Sequence, residues 1–175
     1  MRANKLQSAW NVDATFRGDV EAQTDPARYV LEGLPEIAAI VRQAEDELLR
    51  MTGDPSFDAY TSLDKAPDRL DKQVEAIFKT LQVYNPTAAG ACRVSYRVES
   101  WHWMEGIQPV SLAPLLLREG TGNCLEWTLL LAACLLHVQI FPLILVTNDP
   151  RHALLGHWSA EDDARANQSP LVPLA

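Results

Sequence analysis

The sequence predicts an α+β domain, with helices and a small sheet packed around one core. Two stretches, Pro35 to about Met51 and Leu70 to Leu81, repeat apolar residues at helical spacing. A third, beginning at Cys124, is apolar on every side, as a buried helix is. Directly after it come IFPLILVT, which reads as a buried strand, the turn-forming NDPR, and HALLGHW, which reads as a second strand.

Taken in order, the first 30 residues are polar and mixed, and Ala9 to Phe16 is their candidate edge strand. Residues 1–34 are therefore an N-terminal extension or edge strand, and residues 35–175 are the domain. In the first helix Ile37, Ile40, Val41, Ala44, Leu48 and Leu49 share a face. Pro35 suits its first turn, where a missing N–H costs nothing. MTGDPSFDAYTSLDKAPD is rich in turn formers and reads as a loop. The second helix gathers Val74, Ile77, Phe78 and Leu81 on one face. After the turn YNPTAAGA, the segment CRVSYRVESW alternates, setting Val94, Tyr96 and Val98 on one side of a half-exposed strand. Gln108 to Glu119 reads as a short third helix closed by Gly120. The tail, SAEDDARANQSPLVPLA, begins acidic and ends apolar. Either it docks as an edge strand or the natural chain continues beyond Ala175.

Composition narrows the function classes. Of 175 residues, 47% are hydrophobic and 22% charged, the balance of a globular protein able to bury a core without staples. A net charge of −8 argues against nucleic acid and anionic membranes as partners, since both call for a basic face. Three cysteines, an odd count, with no secretory leader in MRANKLQSAWNVDATF, point to free thiols in a reducing, cytoplasmic setting. Trp127 to Val146 is long enough to span a bilayer. Its His137, Gln139 and Pro142, and its switch to β-branched residues, favour a buried helix followed by a strand. With no C-x-x-C and no paired His/Cys spacing, neither metal nor cofactor is expected.

A catalytic thiol must ionise, and a helix N-terminus or a neighbouring histidine can make it do so. Cys124 has the first device: Gly120, Thr121, Gly122 and Asn123 form a turn, and the apolar helix starts behind it. The early N–H groups of such a helix can also stabilise an oxyanion. The ordinary reading of a lone cysteine here is an inert core residue. Cys134, mid-helix among Ala and Leu, and Cys92, opening the alternating segment, fit it. Ten residues separate Cys134 from Cys124, which at about 100° per residue puts them on different helix faces.

What sets Cys124 apart is the run from Arg118 to Trp158. Gly122-Asn123-Cys124 is followed by Glu126 and by a Leu/Ala helix from Leu129 to Leu136. Then come the strand Pro142 to Val146, a turn, His152-Ala153 and Gly156-His157-Trp158. This pattern of about 40 residues resembles the core of bacterial transglutaminase-like cysteine peptidases. Tyr84 to Pro86 and Gln108 to Val110 resemble the same family more weakly, and the N-terminal third is not covered. Asn123 departs from it, since relatives more often place Thr there. The resemblance implies a papain-like core: a Cys-bearing helix packed on a small antiparallel sheet that bears the His. It makes Cys124 the nucleophile and His152 the general base, later the general acid. Alone, His152 would read as an ordinary strand-edge histidine. His157, five residues on, would point to the opposite face of its strand. His102 and His137 read as surface or structural residues.

The family's third member, an acid or amide on the next strand, has several candidates. Asn167 stands at the usual distance and can orient an imidazole as an amide. Asp162 and Asp163 would suit a short hairpin, with a solvated turn as their ordinary reading, and a longer loop would carry the residue past Ala175. Gln108 is a candidate donor on the oxyanion side, with helix N-terminal capping as its ordinary reading. The expected function is a thiol hydrolase or acyl transferase on an amide or isopeptide bond, acting on a protein or peptide. The alternative is a catalytically degenerate module that binds a partner protein within a larger bacterial system.

Overall fold

The computed structural model describes residues 29–84, 95–98, 110–148, 151–162 and 171–173. Helix α1 (Pro35–Thr52) starts on its proline and buries Ile37, Ile40, Val41, Ala44 and Leu48. It ends at Gly53, whose φ of 79° is left-handed and therefore suits a residue without Cβ. Leu49, expected on the buried face, is instead 46% exposed, because each residue step turns the helix by about 100°. Helix α2 (Arg69–Val83) packs on α1 through Leu70, Ala76, Ile77 and Leu81. Its Phe78 is half-exposed and faces a cavity rather than the core.

The loop between them is tied down by polar side chains of α2. Buried Arg69 donates to Thr52 Oγ1 (2.8 Å) and to the Ser56 carbonyl (2.6 Å), and pairs with Asp54 at 3.2 Å. Gln73, fully buried, accepts from Ala59 N (2.9 Å) and donates to the Ala59 carbonyl (3.1 Å). Tyr60 joins this loop to the sheet: its hydroxyl accepts from Phe141 N (3.0 Å) and donates to the Trp158 carbonyl (3.1 Å).

A two-residue parallel pairing follows, β1 (Ser95–Tyr96) with β2 (Thr121–Gly122). Helix α3 covers Ala113–Glu119, so it begins later than the expected Gln108. Pro114 occupies its first turn and Leu112 is extended, which fixes the start there. It closes as expected at Gly120, with φ at 66°. Helix α4 (Cys124–His137) is the central element, mostly buried from Cys124 to Leu135 and packed against α1, α2 and the sheet. No helix among the described residues is long and apolar enough to cross a membrane, and Trp127 to Val146 divides between α4 and the next strand.

The sheet has the order β4-β3-β5. Strands β3 (Pro142–Asn148) and β4 (Arg151–His157) pair antiparallel, in register from Pro142↔His157 to Asn148↔Arg151. Strand β5 (Leu171–Pro173) lies parallel to β3 on its other side. The sheet is therefore mixed, not purely antiparallel as expected. A parallel partner needs a crossover rather than a hairpin. The tail does dock as an edge strand, the position where Pro173 is tolerable. The core joins α1, α2, α3, α4, Ile144 of β3 and Ala153 of β4. Val30 belongs to it too, so packing begins ahead of Pro35. The segment Ala9 to Phe16, Cys92 and His102 lie outside the described residues.

Candidate active site

Cys124 is the first residue of α4, and the chain around it is fixed by a reciprocal cap. Asn123 is extended (φ −89°, ψ 178°), and its Oδ1 accepts from Glu126 N at 3.0 Å. Glu126 Oε2 accepts in return from Asn123 N at 2.9 Å, completing a capping box. Asparagine caps a helix as well as threonine does, so the departure at Asn123 leaves the helix start intact.

Glu126 is 1% exposed and reaches further than the cap. It accepts from Ser111 N at 2.6 Å, and both its oxygens take Arg97 Nη2 at 3.2 Å. Its carboxylate fastens three segments: the α4 start, the approach to α3, and the residues following β1. Gly122 leaves no room for a side chain. A Cβ there would overlap Leu116 Cδ1 and come within 3.1 Å of Glu126 Oε2 and 3.2 Å of Trp127 Nε1. Its carbonyl accepts from Arg97 N (2.8 Å) and from the Trp127 indole (3.0 Å). Glycine is required here by close approach rather than by its φ.

The strand pairing brings Tyr96 beside Cys124. Local burial first, and then the neighbouring Cys124 with which it is hydrogen-bonded, push the Tyr96 phenol above its ordinary value. The phenol accordingly holds its proton through the neutral range. Cys124 is itself 6% exposed and a free thiol, as is Cys134. Burial among apolar groups pushes the Cys134 thiol up to about 12.

His152 stands near the start of β4, opposite Thr147, and is part-buried. Cys124, Tyr96 and His152 line one cavity of about 580 Å³, walled by α2, α4 and β4. His157 lines it as well, contrary to the expectation from strand alternation. Among the described residues β4 is an edge strand, and residues of both its faces line the cavity. The two histidines are about 17 Å apart along the strand. His157 closes the far end, with Nε2 3.4 Å from Asp71 Oδ1 of α2.

The structure thus gathers Cys124 and His152 at one cavity. Asp162 is exposed on a helical turn after β4 and is not among the described cavity-lining residues. Asn167, Asp163 and Gln108 lie outside the described residues. His137 is exposed, with Nδ1 2.9 Å from the Glu32 carbonyl. Among the described residues, no group of His, Cys, Asp and Glu is arranged to hold a metal ion. Sequence reasoning missed Tyr96 as a site residue and Glu126 as a clasp. The Asn123-x-x-Glu126 spacing was a legible signal for the cap. The contacts of Tyr96 and Arg97 join positions distant in sequence and carried no local signal. No family model, curated protein or solved structure matches the chain.

Proposed function

We propose that the protein is a thiol-dependent hydrolase or acyl transferase acting on an amide or isopeptide bond of a protein or peptide. The observation that carries this reading is the meeting of Cys124, at the first turn of α4, with His152, on the edge of the sheet, at one cavity. The resemblance to transglutaminase-like cysteine peptidases assigns these two residues the same roles and supports the reading independently of geometry.

The chemistry follows from the positions. His152 takes the thiol proton, and the Cys124 sulfur adds to the substrate carbonyl. The developing oxyanion lies where the α4 N-terminus carries partial positive charge and where the protonated Tyr96 hydroxyl can donate. His152 then returns the proton to the departing amine, the C–N bond breaks, and a thioester on Cys124 remains. Water or a second amine attacks the thioester, losing a proton to His152, and the thiolate leaves.

Iodoacetamide alkylation followed by intact-mass measurement tests the dyad without a known substrate. The expected result is a Cys124 adduct forming at neutral pH, slowed roughly tenfold or more in His152→Ala. A rate with the pH profile of an ordinary thiol, unchanged in His152→Ala, sinks the proposal.

A further inference from the structure

A second hollow of about 450 Å³ adjoins the one containing Cys124. The two share Phe78, Tyr96, Trp127 and Leu131 as a dividing ridge. Resting on the catalytic reading of Cys124, we propose that these hollows are neighbouring subsites for two bulky apolar side chains of one extended peptide, the acyl donor.

Three observations support this occupant. The linings are dominated by aliphatic and aromatic side chains: Val74, Leu135, Leu154 and Leu155 in the first hollow, Leu81 in the second, and the ridge between them. Among the described residues, no Lys or Arg lines either hollow. The nearby Lys72 and Lys79 are engaged with Glu75 at 2.9 and 2.6 Å, so neither lysine is free for an anionic side chain. Asp71 lines the first hollow from an exposed position and disfavours an acidic substrate flank, while the charge of Glu75 is taken up by the two lysines. Finally, Phe78 is 49%, Tyr96 55% and Leu154 44% exposed, so large apolar surface is displayed around the nucleophile. Such a patch marks a binding surface.

The openness of the trough selects a peptide over a fatty acyl chain. An alkyl chain lying across half-exposed Phe78 and Leu154 would keep one side in water and forgo much of its burial. A peptide lowers alternate side chains into the hollows and leaves its backbone polar groups solvated. Two separate hollows also match two side chains better than one continuous tail.

Chloromethyl ketone probes test this, since the thiolate sulfur displaces chloride and leaves a stable C–S bond that mass spectrometry reads. Labelling rates of Cys124 are compared for a lauroyl probe and for tripeptide probes with glycine in the middle and leucine (dileucyl), glycine (diglycyl) or aspartate (diaspartyl) on both sides of it, which sets the two test side chains on one face of the extended chain. The dileucyl probe is expected to exceed the diglycyl one by about tenfold or more, and the diaspartyl probe to fall below both. In Phe78→Asp and in Leu154→Asp, substitutions at half-exposed positions, the dileucyl-to-diglycyl ratio falls toward one. Circular dichroism verifies that each variant is folded. Equal rates for all peptides overturn the proposal, and a lauroyl probe faster than the dileucyl one reassigns the trough to a lipid acyl chain. The underlying reading fails separately. A dileucyl preference that persists while His152→Ala leaves the rates unchanged retains the subsites and removes the dyad.

Discussion

Cys124 and Cys134 are both buried thiols of one helix, but Cys124 stands at its first turn and lines a cavity, and Cys134 lies mid-helix in the core. Cys134 is fully buried among apolar neighbours, and its thiol is pushed up to about 12. Folding holds it in the neutral form, so its contribution to stability is present below the unfolded thiol value and is lost as pH rises toward about 12. Urea unfolding of Cys134→Ala from pH 8 to 11 should therefore show a shallower loss of stability than the parent chain, and native alkylation should spare Cys134. Tyr96 supports a sharper test. As an oxyanion donor, its hydroxyl matters when a carbonyl is attacked and not when iodoacetamide is. Tyr96→Phe is expected to slow acylation of Cys124 by a p-nitrophenyl ester, in which the thiolate adds to the carbonyl and p-nitrophenolate leaves, by about tenfold or more while leaving iodoacetamide alkylation within a small factor. Equal effects on both would remove Tyr96 from the chemistry. At this scale the sequence named Cys124 and His152 because a Gly-Cys turn and a His-Ala strand are contiguous signals. Tyr96 escaped because nothing near it in the chain points to Cys124.

Elements meet at Glu126. Its carboxylate caps α4, receives Ser111 N ahead of α3 and holds Arg97 just past β1. Glu126→Ala leaves Arg97 part-buried without this partner and the α4 N-terminus without half its cap. The expected cost is about 3–5 kcal/mol, read from chemical denaturation. A loss under 1 kcal/mol would show that the three segments are held by something else. Helices were the most legible elements. The apolar faces of α1 and α2 and the glycine stops at Gly53 and Gly120 lie within a turn or two of the residues they organise. The start of α3 was misplaced because an apolar run continues upstream of Pro114, and the proline overrules it. The loop before α2 looked unstructured because its anchors, Arg69 and Gln73, are polar side chains on a neighbouring element.

Across the whole molecule one apolar cluster links α1, α2, α3, α4 and the sheet. The α+β class was readable from periodicity alone, but the direction of β5 was not. Strand polarity depends on how the chain crosses the sheet, and the residues of β5 look alike in either direction. The core and the site are also held by different means. The core rests on buried side chains spread over all the helices. The placing of Tyr96 rests on a two-rung pairing of β1 with β2 and on the Arg97–Glu126 contact. So small a ladder melts locally at little cost compared with the core. On heating, then, reactivity and fold should disappear in sequence. The difference between ester acylation and iodoacetamide labelling of Cys124 should vanish several degrees below the midpoint seen by far-ultraviolet circular dichroism. Simultaneous loss would mean that the ladder and the core form one cooperative unit. In the ordered case the protein would have a working temperature distinct from its melting temperature, set by a clasp of one arginine and one glutamate.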